Sequence, residues 1–202
     1  MSRPVLILVT GLPCTGKSTL AKRLARDLGL PLVSRDDIKE VLFDNLGWKD
    51  RDWSKKLGIA SWHLLYYFVD LLLATRQSFV VENYFKPDFD TQKFRDLRAR
   101  YDYHALQIRC TTDGETLFER FKRRSESGER HRGHGDHQNY AEFEQQLRAG
   151  TCDMLDIGGE TLDVDTTDLA GIDYAALLTA VERRLPADAN PRSQSSTTSE
   201  AH

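Results

Sequence analysis

The run PVLILVT, residues 4–10, leads straight into GLPCTGKS, residues 11–18. The run is continuous rather than alternating and rich in Val, Ile and Leu, the composition of a strand buried on both faces. From Lys17 onward Leu20, Leu24 and Leu28 recur every four positions as far as Gly29, which predicts a helix closed by a glycine. Between strand and helix, Gly-x4-Gly-Lys-Ser describes a loop that turns its backbone N–H groups inward around a phosphate. The helix N-terminus adds partial positive charge, Lys17 is placed to bridge the outer phosphates, and the Ser18 hydroxyl to ligate magnesium. Thr19 is placed to reach the inner phosphate. Gly11, Leu12, Pro13, Cys14, Thr15, Gly16, Lys17, Ser18 and Thr19 thus form the expected nucleotide cradle. A strand that feeds such a loop needs partner strands on both sides, so the fold class is α/β.

The rest of the chain repeats the alternation. LPLVS (30–34), SFVVE (78–82), YHALQIRC (103–110) and ETLDVDT (160–166) read as further strands. Ile38, Val41, Leu42 and Leu46 mark one helical face, stopping at Gly47. A long helix is expected from about Trp53 to Arg76, with Leu57, Leu64, Leu65, Phe68, Leu71 and Leu72 on its buried side. Phe94, Leu97 and Tyr101 mark a short helix, Phe143 and Leu147 another, and Tyr174, Leu177, Val181 and Leu185 the last. Thr112 and Glu115 read as a capping box opening a basic helix. Residues 125–139 contain no apolar residue and read as a mobile loop; 186–202 contain no large apolar residue and read as a disordered tail. Five strands separated by helices imply one parallel sheet covered on both faces, within a domain spanning residues 1–185.

Charge and cysteine content narrow the setting. With 28 Lys and Arg against 31 Asp and Glu, the net charge of -3 argues against broad affinity for nucleic acid or membranes. The longest apolar stretch, Leu64 to Ala74, is broken by Asp70 and too short to span a bilayer, and Val5 to Val9 is too short for a signal peptide. Cys14, Cys110 and Cys152 are odd in number and scattered, as expected of free thiols in a reducing cytoplasm.

After the second strand, SRDDIKE (34–40) places carboxylates at the sheet edge where ligands of parallel sheets bind. Asp36 there could take a proton from a hydroxyl attacking a γ-phosphoryl group. Ser34-x-x-Asp37 also reads as a capping box, and both roles hold together if Asp37 caps and Asp36 faces the site. His131, His134 and His137 have a spacing that admits a metal on a helix, but Gly133 and Gly135 oppose a helix there, which favours histidines near phosphate. Trp48, Trp53, Trp62, Tyr66 and Tyr67 are candidates for an acceptor pocket or, more simply, for helix packing.

With the phosphate loop and SRDDIKE together, the chain resembles the small P-loop kinase superfamily over roughly residues 4–185. The likeness is greatest to polynucleotide kinases and their small-molecule relatives, a group also described as AAA-family ATPases. Gluconate, shikimate and adenylate kinases share the wider plan. The resemblance implies a three-layer P-loop NTPase fold, sheet order 2-3-1-4-5, and a helical lid over about residues 115–140. It implies that Asp36 activates the acceptor hydroxyl. It also implies that Lys39, where polynucleotide kinases carry Arg, contacts acceptor or phosphate. Arg120 and Arg124, one helical turn apart, match the lid arginines that close on the transferring phosphoryl group, with Arg130 and Arg132 following; a solvated basic face is the plainer alternative. Glu82 stands near where relatives place an acidic residue beside magnesium waters or acceptor, and DVDTTD near the turn whose backbone passes adenine. The implied activity is Mg2+- and ATP-dependent phosphorylation of a small-molecule hydroxyl. A polynucleotide 5′-hydroxyl is less favoured because little basic surface lies outside the lid. A nucleotide switch without acceptor would call for an aspartate where the third strand supplies Glu82.

Overall fold

The computed structural model describes residues 3–128, 130–134 and 140–187. Five strands, β1 (Val5–Gly11), β2 (Leu32–Ser34), β3 (Phe79–Glu82), β4 (His104–Thr111) and β5 (Glu160–Asp165), form one sheet in the order β2-β3-β1-β4-β5. All pairings are parallel, with Val9 opposite Glu82, Gly11 opposite Cys110 and Ser34 opposite Glu82. A parallel sheet aligns the C-terminal ends of its strands, so Gly11, Ser34 and Glu82 meet along one edge.

The helices described are α1 (Lys17–Leu28), α2 (Arg35–Leu46), α3 (Arg51–Ala74), α4 (Pro87–Arg100), α5 (Gly114–Ser127), α6 (Tyr140–Arg148) and α7 (Tyr174–Glu182). The central strand β1 is buried throughout. Its Val5, Ile7 and Val9 pack with Leu20 and Leu24 of α1 and Val181 of α7. Leu6 and Leu8 pack with Leu65, Val69 and Leu73 of α3 and Phe94 and Leu97 of α4. The alternation of a strand thus supplies both cores at once. A third cluster, Leu12 with Leu117, Phe118, Phe121 and Leu147, couples the loop after β1 to α5 and α6.

Two helical faces differ from the pattern read in the sequence. In α2 the buried side chain is Phe43, while Val41 and Leu46 are 58% and 56% exposed. The stripe toward the cleft, Arg35, Lys39 and Phe43 at four-residue spacing, is mostly basic; of the four apolar residues read from the sequence, Ile38 packs against the core, Leu42 is half-buried, and Val41 and Leu46 face out. In α3 the buried stripe is Ser54, Leu57, Gly58, Ser61, Leu65, Val69 and Leu73, and Phe68 and Leu71 lie outside. The apolar residues there are too dense for their phase to be legible. By length and composition α3 would cross a bilayer, but Leu65, Val69 and Leu73 are packed in the core.

The lid also differs in detail. Asp113, not Thr112, caps α5 by accepting from the Thr116 N–H at 2.9 Å. Thr112 instead shares a 2.6 Å hydrogen bond with Thr166. The helix continues through Ser127, and Arg132–His134 form a 3-10 turn, so the segment expected as loop from 125 is partly helical. Most of the proposed tail lies outside the described residues. The root of the lid closes through two glycines: a Cβ on Gly114 would sit 2.1 Å from the Arg148 carbonyl oxygen, and one on Gly150 2.3 Å from that of Thr112. Gly114→Ala should therefore force α5 and α6 apart and cost about 1–3 kcal/mol in urea unfolding; an unchanged midpoint would show that the root has slack.

Candidate active site

The loop after β1 is wound by two left-handed positions, Cys14 at φ 69° and Gly16 at φ 81°. Gly16 occupies the N-cap of α1 without a side-chain cap, so the first-turn N–H groups are open to an anion. Leu12, 1% exposed, anchors the loop in the lid cluster, and Thr15 Oγ1 donates to the Leu12 carbonyl at 2.9 Å. At Gly11 a Cβ would lie 2.7 Å from both the Cys110 carbonyl oxygen and Thr15 Oγ1. Pro13 reaches the cleft described below, and Thr19 is exposed on the first turn of α1.

Glu82, at the end of β3, is 1% exposed and holds three elements together. Its Oε1 accepts from Ser18 Oγ at 3.1 Å and lies 3.7 Å from Lys17 Nζ, and its Oε2 accepts from Ser34 Oγ at 2.8 Å. Burying a carboxylate is costly unless it is paired and hydrogen-bonded, and here it is both. The Ser18 hydroxyl and the Glu82 carboxylate also supply hard oxygen donors. Magnesium needs only a few of these from protein when phosphate and water complete its shell. The donor set fits magnesium.

A cleft of about 160 Å3 opens beside this cluster, lined by Lys17, Arg35, Asp36, Lys39, Arg51, Glu82, Asn83, Arg130 and His134 among others. Asp36 stands in it with 40% of its side chain exposed and accepts from Arg130 Nη2 at 2.8 Å. Burial works against its charge, but the cations Arg130 and Lys17 more than offset that and hold its carboxyl well below the usual range. Asp37 faces away and pairs with Lys22 at 2.9 Å; Ser34 Oγ accepts from the Asp37 N–H at 3.4 Å. Only the serine half of the expected capping box is made.

The lid segment docks on α2. Gly133 packs against the Phe43 ring, where a Cβ would lie 2.7 Å from Cγ, and His131 stacks on the same ring at 5.0 Å. His134, 5% exposed, receives Arg130 Nη2 on Nδ1 at 3.1 Å and meets Glu40 Oε1 through Nε2 at 3.0 Å. These partners suit the neutral ring protonated on Nε2. Burial and the Arg130 charge agree, pushing its pKa down to about 3. His131 turns to Asp44 at 3.2 Å, so these two histidines serve separate contacts rather than one metal; His137 lies outside the described residues.

The other sequence candidates divide. Lys39 faces the cleft, its Nζ 3.1 Å from Ser54 Oγ. Arg120 is bonded to the carbonyls of Thr166 and Thr167 at 2.8 and 2.7 Å, and so braces the turn after β5. Arg124, half-buried on α5, adds its charge to the field on His134. The aromatic candidates do not line the cleft: Trp62 Nε1 and Tyr66 OH both donate to Asp90 at 2.8 Å, and Trp48 and Tyr67 are exposed. Arg35 and Arg51 were missed. A signal existed, because each opens a helix, where the macrodipole disfavours a cation.

A family model described as an AAA domain matches residues 6–149. No curated protein matches the sequence. Among solved structures, a protein from Chloroflexus aurantiacus j-10-fl to which kinase activity is ascribed is 40% identical, with a TM-score of 0.86 over 92% of this chain and 100% of its own. A sugar kinase from Janibacter sp. HTCC2649 is 14% identical, with a TM-score of 0.55 over 94% and 99%. A gluconokinase from Sinorhizobium meliloti 1021 is 16% identical, with a TM-score of 0.50 over 90% and 94%. The latter two establish shared architecture alone. Sheet order, phosphate loop and lid together are those of the P-loop kinase fold.

The cradle makes Cys14 the accessible thiol, since Cys110 and Cys152 are buried and burial pushes their thiols up, Cys110 to about 12. N-ethylmaleimide should label Cys14 first and abolish ATP binding, and prior ATP should slow the labelling. Unchanged ATP affinity after complete labelling, read by calorimetry, would place the Cys14 side chain away from the phosphates.

Proposed function

The chain belongs to the AAA domain family that its residues 6–149 match, and from that premise we propose that it is a kinase that transfers the γ-phosphoryl group of ATP to a hydroxyl of a small-molecule acceptor. The observation that carries this reading is the Asp36 carboxylate, ionised and partly open in the cleft that Lys17 also lines. The 40%-identical relative supports it, as does the phosphate loop.

The acceptor oxygen attacks the γ-phosphorus, the bond from that phosphorus to the β–γ bridging oxygen breaks, and ADP departs. Asp36 takes the hydroxyl proton. A carboxylate of low basicity suffices, because in a loose transition state the proton leaves late. Lys17 follows the charge that moves onto the β–γ bridge; of the lid arginines Arg130 lines the cleft and would turn from Asp36 to the transferring group, while Arg124 on α5 does not line it. Magnesium, when bound, would be held by Ser18 and Glu82 and would offset phosphate charge. Closure of the lid excludes water, which would otherwise take the phosphoryl group. Free thiols and the use of ATP suit the cytoplasm.

ADP release over a panel of alcohols, sugars, nucleosides and 5′-hydroxyl oligonucleotides tests the reading. Lys17→Ala should abolish acceptor-dependent release; because it also takes the charge partner from buried Glu82, the melting temperature should fall while the chain stays folded by circular dichroism. With the true acceptor, Asp36→Asn should keep ATP affinity and slow transfer by roughly two to four powers of ten. Asp37→Asn, at a surface ion pair, should be mild. Equal and mild effects at both positions would remove Asp36 from the chemistry.

A further inference from the structure

The long helix α3 buries one side and shows the other. Asp52, Lys56, Ile59, His63, Tyr67 and Asp70 follow at intervals of three and four, so they share a face, opposite the buried Ser61 and Leu65. Five of the six are exposed, and Ile59 and Tyr67 remain 61% and 62% open. Phe68 and Leu71 extend the exposed apolar area along its flank. A single exposed leucine is ordinary, whereas apolar side chains contiguous over about three turns mark a contact surface. The rings are also braced. His63 and Trp62 meet nearly at right angles with centres 5.0 Å apart, Trp62 Nε1 donates to buried Asp90 at 2.8 Å, and Tyr67 meets Phe68 at 5.6 Å. Side chains already ordered lose less freedom when a partner arrives.

The charges on this face select the occupant. At its N-terminal end Asp52 and Lys56 stand one turn apart, and Lys56 makes no ion pair among the described residues. At its C-terminal end Asp70 is joined by Arg100 of α4 at 2.8 Å. A second α3 turned end for end, with His63 at the twofold axis, sets Ile59 against Tyr67, Lys56 against Asp70 and Asp52 beside Arg100, each twice. A parallel arrangement would set each charge against its like.

Ile59, Tyr67, Phe68 and Leu71 at their exposures leave on the order of 400 Å2 of apolar surface per copy, roughly 800 Å2 for two. With the charged rim this reaches the ~1,200 Å2 at which stable interfaces begin, which suits a dimer of modest affinity.

Other occupants are less suited. Residues 188–202 hold no apolar side chain larger than alanine or proline to seat on the face. α3 is long and apolar enough to cross a bilayer, but its opposite side is packed in the core. With an acid and a base at each end, the face also has no net attraction to an anionic lipid surface.

We infer that the outer face of α3 is a homodimer contact, in which two copies pack antiparallel about His63. The inference stands apart from the kinase reading.

Sedimentation velocity of the full chain should show a monomer–dimer equilibrium with Kd on the order of 10 µM. Tyr67→Glu, at an exposed position, should weaken it by about 10-fold or more with the circular dichroism unchanged. Lys56→Glu and Asp70→Lys should each weaken self-association, because each sets like charges together at two places. Mixed in equal amounts, these two chains should form a heterodimer, since one altered contact is then opposite in sign and the other is native. In a chain carrying Cys14→Ser, His63→Cys should give a disulfide-linked dimer under oxidised glutathione. Lys56→Cys, about 21 Å from its image along the helix axis, should not. Asp70→Lys strands Arg100, so should that variant fail to fold, the two cysteine variants decide the register alone. A chain still monomeric at ~200 µM, a dimer indifferent to Tyr67→Glu, or equal cross-linking of His63→Cys and Lys56→Cys overturns the inference. Two folded charge variants that fail to form the mixed dimer overturn it as well. So does wild-type binding to phosphatidylcholine–phosphatidylglycerol vesicles that Tyr67→Glu abolishes, which would assign the face to a membrane.

Discussion

A buried carboxylate organises this molecule. Glu82 ends the third strand and is bonded to Ser34 at the end of the second, to Ser18 in the first turn of α1, and to Lys17 by charge. A two-oxygen acceptor shared among three elements fixes how they meet at the sheet edge. A carboxylate left unpaired in that position would be costly, so the bonds from Ser18 and Ser34 and the nearby Lys17 are what make its burial tolerable. The apolar cores hold the sheet and seat α1 through Leu20 and Leu24, and Glu82 then fixes the side chains of Lys17 and Ser18 by charge and hydrogen bond.

The second organising contact is less symmetrical. α2 turns the basic stripe of Arg35 and Lys39 toward the cleft, packs Ile38 on the core, and leaves Val41 and Leu46 outside. The one aromatic on that stripe, Phe43, receives the lid through Gly133, His131 and His134. The same helix thus carries the proposed base, the basic stripe and the docking point of the lid. Arg130 meets Asp36 while His134 stays neutral between Arg130 and Glu40, so the lid segment is held on α2 by hydrogen bonds as well as by the Phe43 ring.

The parallel strands and the phosphate loop were legible in the sequence, because buried strands and glycine loops leave strong local signatures, whereas the strand order came only from the resemblance to small P-loop kinases. The place of Asp36 at the sheet edge was legible because it follows a strand end. Other features lay beyond local pattern. Val41 and Leu46 extend the apolar pattern of α2 beyond its core-packed Ile38, and the density of apolar residues in α3 hides which of them are inside. Arg120 matched a lid arginine by composition, yet its guanidinium reaches the carbonyls of the turn after β5, a contact fixed by tertiary packing. Arg35 sat inside the very motif that drew attention to Asp36, and only the cleft reveals that both face one space.

The glycines at the root of the lid have a further consequence. Gly114 against Arg148 and Gly150 against Thr112 bring the start of α5 and the end of α6 into van der Waals contact. The excursion between them therefore leaves and rejoins the domain at nearly one point. Loop-closure entropy grows only slowly with length, so what lies between the glycines is able to lengthen, shorten or be exchanged with little strain on the sheet. The tip of the excursion can therefore vary in length, whereas its base, where Leu117 and Phe121 pack on Leu12 of the phosphate loop, is tied to the sheet edge.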